Sequence, residues 1–103
     1  ARLDLKKARL DVEHMARGLQ MGLMQARADF VNALDKRQSL GDNVALARRI
    51  FAKTRARFQN GTATSLELTQ AHNQYLESES GFTAAVVDLL NAKLALERAL
   101  NRL

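Results

Sequence analysis

Apolar residues recur through the first half of the chain in alternating steps of three and four. The series runs Leu5, Arg9, Val12, Ala16, Leu19, Leu23, Ala26, Phe30, Ala33, Arg37, Leu40, Val44, Ala47, Phe51, Thr54, Phe58, and thirteen of these sixteen positions are apolar. A repeat of about 3.5 residues held this long keeps one stripe turned toward a partner helix; any other period would rotate it away. Ser39-Leu40-Gly41-Asp42-Asn43 resembles a break, with a glycine ahead of an N-cap candidate. The register nevertheless crosses it in phase, from Ala33 through Leu40 and Val44 to Ala47. One helix over about residues 2–59 is therefore predicted, weakened or bent at Gly41 at most.

The second half repeats the pattern at Leu68, Ala71, Tyr75, Ser78, Phe82, Ala85, Leu89, Ala92, Leu96, Ala99 and Leu103, and ten of these eleven are apolar. Positions 71, 78, 85, 92 and 99 are Ala or Ser, while the alternating set is large throughout. Small residues every seventh position let two helix backbones approach closely, and the large set fills the adjoining layer. A second helix over about 65–102, antiparallel to the first, follows.

Between them lies a stop signal beside a start signal. Asn60-Gly61 supplies the left-handed conformation that closes a helix, and Arg55 and Arg57 suit the negative end of its dipole. Thr64 offers a hydroxyl to the amides of a new first turn, and Glu67, three residues on, completes a capping-box pattern. The turn is thus expected at about 60–64. The fold class is all-α, a long antiparallel coiled-coil hairpin forming one unit over residues 1–103.

Neither helix stops at one stripe. Met24, Ala28, Val31, Ala45 and Ala52 on the first arm, and Val87, Leu90 and Leu94 on the second, lie beside the seam. A two-stranded hairpin leaves these wet, so each helix is expected to have neighbours on both sides, as in a larger bundle or ring. At about 1.5 Å per residue the arms are roughly 85 and 57 Å long, so folding back at Gly61 leaves roughly the first 20 residues without an intramolecular partner. The chain is accordingly expected to be a fragment, an oligomer, or both.

Composition agrees, with no Pro and no Cys among 103 residues. The cysteine count excludes disulfides and thiolate metal sites without choosing a compartment. The apolar run at Ala84-Ala85-Val86-Val87 falls far short of the roughly 18 residues that span a bilayer. Charge is uneven: residues 1–58 carry 13 Lys/Arg against 6 Asp/Glu, and residues 59–103 carry 3 against 5. That asymmetry fits two helices whose flanking charges complement each other across a seam. The alternative is a soluble coiled-coil arm that binds nucleic acid or protein through its basic first helix; against nucleic acid, no aromatic residues interleave with the cations to stack bases. The cluster Arg48, Arg49, Lys53, Arg55 and Arg57 reads either as a solvated face or as a positive collar near the turn.

Little chemistry is on offer. His14 and His72 are the only histidines and lie on different arms, with His72 expected opposite about residue 50, so they do not share a metal. No nucleophile–base grouping, glycine-rich phosphate loop or carboxylate pair is recognisable, and no catalytic residue, metal or cofactor is expected. Gly18 and Gly22 form a small-xxx-small pair, but Arg17, Gln20 and Gln25 exclude a membrane span, leaving close packing in water.

The turn carries a resemblance. Phe58-Gln59-Asn60-Gly61-Thr62-Ala63-Thr64-Ser65-Leu66-Glu67-Leu68, followed by Ala71-His72-Asn73-Gln74-Tyr75-Leu76, resembles the aromatic-x-x-Gly-x-x-Ser/Thr-x-(Leu/Val)-(Asp/Glu)-(Leu/Val) signature of the outer membrane efflux proteins, the TolC-like family. Ala84 to Leu103, with Ala92-Lys93-Leu94 and Ala99-Leu100, is similar to the end of that family's second repeat. The resemblance covers nearly the whole chain and implies the C-terminal periplasmic hairpin of a homotrimeric outer-membrane channel. It implies an α-barrel of such hairpins, serving multidrug export together with a periplasmic adaptor and an inner-membrane pump. Phe58, Gly61, Thr62, Ala63, Thr64, Ser65 and Leu66 would then face the adaptor, and Glu67 and Gln70 would lie at the channel entrance. Phe58 stands where the family commonly has tyrosine, and Gln70 where some members carry a second acidic residue. A second alternative is the adaptor's own hairpin, which in the family pairs with this one.

Overall fold

The computed structural model describes residues 2–102, folded as α1 (Arg2–Gln59) and α2 (Ser65–Asn101). Both ends of α1 fall where the sequence places them, and α2 ends one residue early, with Arg102 as its C-cap donating its backbone N–H to the Arg98 carbonyl at 3.2 Å. Leu103, the last seam position, lies outside the described residues. The rod measures 89 × 18 × 13 Å.

Across the seam, residues whose numbers add to about 123 face each other: Gly41 and Phe82, Arg48 and Tyr75, Phe51 and His72. From Leu19 onward the half-buried and buried positions of α1 are the heptad series, except that Arg37 and Phe58 are exposed and Gly41 joins the inner face. The register gives residues ahead of Leu19 no partner on α2. Leu3, Leu5, Leu10, Val12 and Met15 are accordingly each more than half exposed. The outer-stripe residues Met24, Val31, Val87, Leu90 and Leu94 are exposed as well.

Among the described residues the buried side chains are three alanines: Ala26 at 9%, Ala71 at 7% and Ala85 at 1% exposure. Ala71 and Ala85 belong to the small edge of α2, so the backbones do approach there, while the large residues of the other layer remain half-buried.

Gly41 is not a break, because α1 runs through it. A Cβ at this position would stand 3.3 Å from Phe82 Cε2, so the missing side chain makes a socket for the Phe82 ring. Arg37 also packs on that ring, with its guanidinium carbon 5.7 Å from the centroid. A Cβ at Gly18 or Gly22 would meet nothing within 4 Å, so neither marks a close approach between the two arms of the hairpin.

Candidate functional site

Hydrogen bonds from both backbone and side chains, together with one ion pair, build the turn. Gly61 takes φ +77°, the left-handed region that its lack of a Cβ makes cheap. This lets the Thr62 amide donate to the Arg57 carbonyl at 2.8 Å and the Gly61 amide to the Phe58 carbonyl at 3.0 Å, the paired bonds of a Schellman C-cap. The motif's usual apolar clasp is replaced by a polar one. Thr62 Oγ1 also donates to the Arg57 carbonyl at 3.0 Å, and Arg57 Nη2 donates back to the Thr62 carbonyl at 3.1 Å.

Thr64 is the N-cap of α2, in extended conformation, and its hydroxyl accepts the Glu67 amide at 3.1 Å. The reciprocal half of the capping box is absent: among the described residues no hydrogen bond runs from the Thr64 amide to Glu67. The Glu67 carboxylate instead lies 3.8 Å from Arg57. Arg57 therefore ties together the end of α1, the turn and the first turn of α2. The ion pair is half exposed and adds at most about 1 kcal/mol by itself; its role is to hold the tip in one shape.

The predicted tip residues do come together. Gly61, Thr62, Thr64 and Ser65 are exposed, Ala63 is half-buried, and Phe58 and Leu66 are 42% and 65% exposed at the two sides of the turn. Glu67 and Gln70 lie on one flank of the hairpin, where they line a shallow groove with Ile50, Thr54 and Gln74. The tip thus presents hydroxyls, backbone and two apolar side chains.

The opposite flank holds an arrangement that sequence reasoning missed. Phe51 meets the His72 ring at 5.2 Å and the Tyr75 ring at 6.0 Å, between centroids. Arg48 Nε donates to the Tyr75 hydroxyl at 3.2 Å, which, with minor help from Glu79, holds the guanidinium above its ordinary pKa. These residues, with Arg55 and Leu76, border an open groove of ≈ 600 Å³ that Ala52, Ala56 and Gln59 also line. The signal was present in the placement of His72 near residue 50, which carries Tyr75 to Arg48 by the same register. Of the basic cluster, Arg48 and Arg57 therefore make contacts within the hairpin.

Among the described residues no three His, Cys, Asp or Glu side chains gather where a metal ion would fit. No helix among them is long and apolar enough to cross a membrane. Comparison with protein-family models, with curated proteins and with solved structures returns no match to this chain.

Proposed function

We propose that this chain is a wall segment in the periplasmic tunnel of a TolC-like outer-membrane export channel, with the 60–64 turn docking a periplasmic adaptor. The observation that carries the reading is the second apolar stripe. On α1 it comprises Met21, Met24, Ala28, Val31, Ala45, Ala52 and Ala56, and on α2 Leu76, Val87, Leu90 and Leu94, all exposed. At about 100° per residue the centre of this stripe lies roughly 150° around each helix from the seam. A helix with two contact stripes at that angle has a neighbour on each side and turns the wall by about 30°, so that roughly twelve helices close a ring. Six hairpins make such a ring, and a homotrimer with two hairpins per subunit supplies them.

The tip supports the docking role. It is held in one conformation by Gly61, Thr62 and Arg57, it stands at one end of an 89 Å rod, and its small exposed residues admit a partner's backbone. Glu67 and Gln70 sit beside it at the mouth. Conduction is passive in this reading, driven by an inner-membrane pump.

Site-specific photo-crosslinking in cells tests the proposal. Photoreactive side chains at Thr62 or Leu66 should yield adducts with a periplasmic adaptor, and those at Met24 or Leu90 adducts with another channel hairpin. The reading fails if neither pair gives its adduct, or if the full gene flanks this hairpin with lipoyl-like domains, which would make it the adaptor's hairpin.

A further inference from the structure

The Arg48–Tyr75 groove differs in charge from the other grooves described between the two helices, each of which includes a carboxylate. Its lining contains two arginines and no carboxylate. The groove on the opposite flank of the tip pairs Arg57 with Glu67, and the one near the open end of the hairpin sets Asp29 among its arginines. Glu79, the carboxylate that acts on Arg48 from α2, lies one turn away and forms no ion pair with it. Arg48 spends one of its five N–H donors on Tyr75. Among the described residues Arg55 has no hydrogen-bond or ion-pair partner, so both guanidiniums retain donors for an anion. Between them the Phe51, His72 and Tyr75 rings form a tilted aromatic wall, and Leu76 adds apolar surface.

We propose that this groove binds small aromatic anions, aryl carboxylates or aryl sulfonates. The ring of the ligand packs against Phe51, His72 and Tyr75, and its anionic group takes the terminal N–H donors of Arg48 and Arg55. The volume of ≈ 600 Å³ lies within the roughly 300–1,000 Å³ usual for small-molecule sites. Charge-assisted bonds from a planar guanidinium suit carboxylate and sulfonate oxygens, and the Tyr75 hydroxyl fixes the direction in which Arg48 presents its donors. Arg48 and Arg55 are seven residues apart, two turns of α1, and so border the same side of the groove. The groove lies within one hairpin, but Ala52, Ala56 and Leu76 also belong to the outer stripe, so it is open on the free hairpin and covered where a neighbour packs on that stripe; titration of the free hairpin tests the groove apart from assembly.

The test titrates the hairpin with naphthalene-2-sulfonate and, separately, with 2-naphthylmethylammonium, followed by NMR shifts of the Phe51, His72 and Tyr75 ring protons. The sulfonate should shift all three, and the ammonium should bind at least tenfold more weakly. The double variant Arg48→Gln, Arg55→Gln should weaken sulfonate binding at least tenfold. The double variant Arg49→Gln, Lys53→Gln removes equal charge from the same helix outside the groove and should change it less than threefold. Both variants should keep the wild-type circular dichroism spectrum. Equal binding of the two probes, equal losses in the two double variants, or no ring shifts with either probe would each overturn the proposal.

Discussion

Ala85 is the most buried residue described, at 1% exposure, on the small edge where α2 lies against α1. Replacing it with leucine puts an isobutyl group where a methyl now fills the gap. A rod of two helices has two responses: the helices separate locally, or the introduced side chain adopts a strained rotamer. Either costs about 1–3 kcal/mol, while the propensity difference between Ala and Leu is small. For a chain of this size, about 4 °C of melting temperature accompanies each kcal/mol, so Ala85→Leu should lower Tm by roughly 4–12 °C. Ala92→Leu, at a half-buried position of the same edge, should cost less. Val87→Leu, on the exposed stripe at 50% exposure, should leave Tm within about 2 °C. Far-UV circular dichroism melts at two protein concentrations provide the measurement, the second concentration separating hairpin stability from self-association. An unchanged or raised Tm for Ala85→Leu at both concentrations would refute close approach at the small edge.

Gly61→Val should destabilise the hairpin by about 1–3 kcal/mol in urea denaturation, since a β-branched residue is forced to φ +77°. A Cβ there meets nothing within 4 Å, so the cost is backbone strain alone, and Gly61→Asn should recover most of it. A valine variant as stable as the glycine parent would contradict the left-handed cap. Thr64→Ala removes the acceptor of the Glu67 amide and should cost about 1 kcal/mol, with faster amide hydrogen exchange confined to the first turn of α2. Thr64→Ser should behave as the parent, and unchanged exchange in the alanine variant would count against the cap.

The helices, the turn and the seam were legible because each is encoded locally, in a repeat or a cap. What was not legible depends on which residues meet across the seam. Gly41 reads as a weak point when only its own helix is considered; with the pairing known it is the socket for Phe82, a residue 41 positions away. At Gly18 and Gly22, by contrast, a Cβ would meet nothing within 4 Å, so their small size is not used between the two arms. Glu67 is expected from the sequence to reach back to the Thr64 amide, but its carboxylate lies 3.8 Å from Arg57, whose guanidinium is placed over the turn by its bond to the Thr62 carbonyl. The aromatic groove needs both arms at once, Arg48, Phe51 and Arg55 from one and His72, Tyr75 and Leu76 from the other.

Two helices alone give each large apolar side chain a neighbour on one side only, which is why the buried residues are alanines while Met21, Met24, Leu90 and Leu94 remain more than half exposed. The accessible surface of 8271 Å² compares with about 5,800 Å² for a compact domain of this mass. The excess lies along the rod, in the outer stripes and in the unpaired span of α1 before Leu19, while the turn contributes only Phe58 and Leu66 to the exposed large apolar side chains. Apolar area left on rigid helix faces favours side-by-side association, whereas a hydrogen-bonded, hydroxyl-lined turn offers little area and a fixed shape, which suits selective contact. The two ends of the proposed task are therefore separable by substitution: changes on the outer stripes should alter assembly while the tip stays intact, and changes at Arg57, Gly61 or Thr62 should alter docking while the walls still pack.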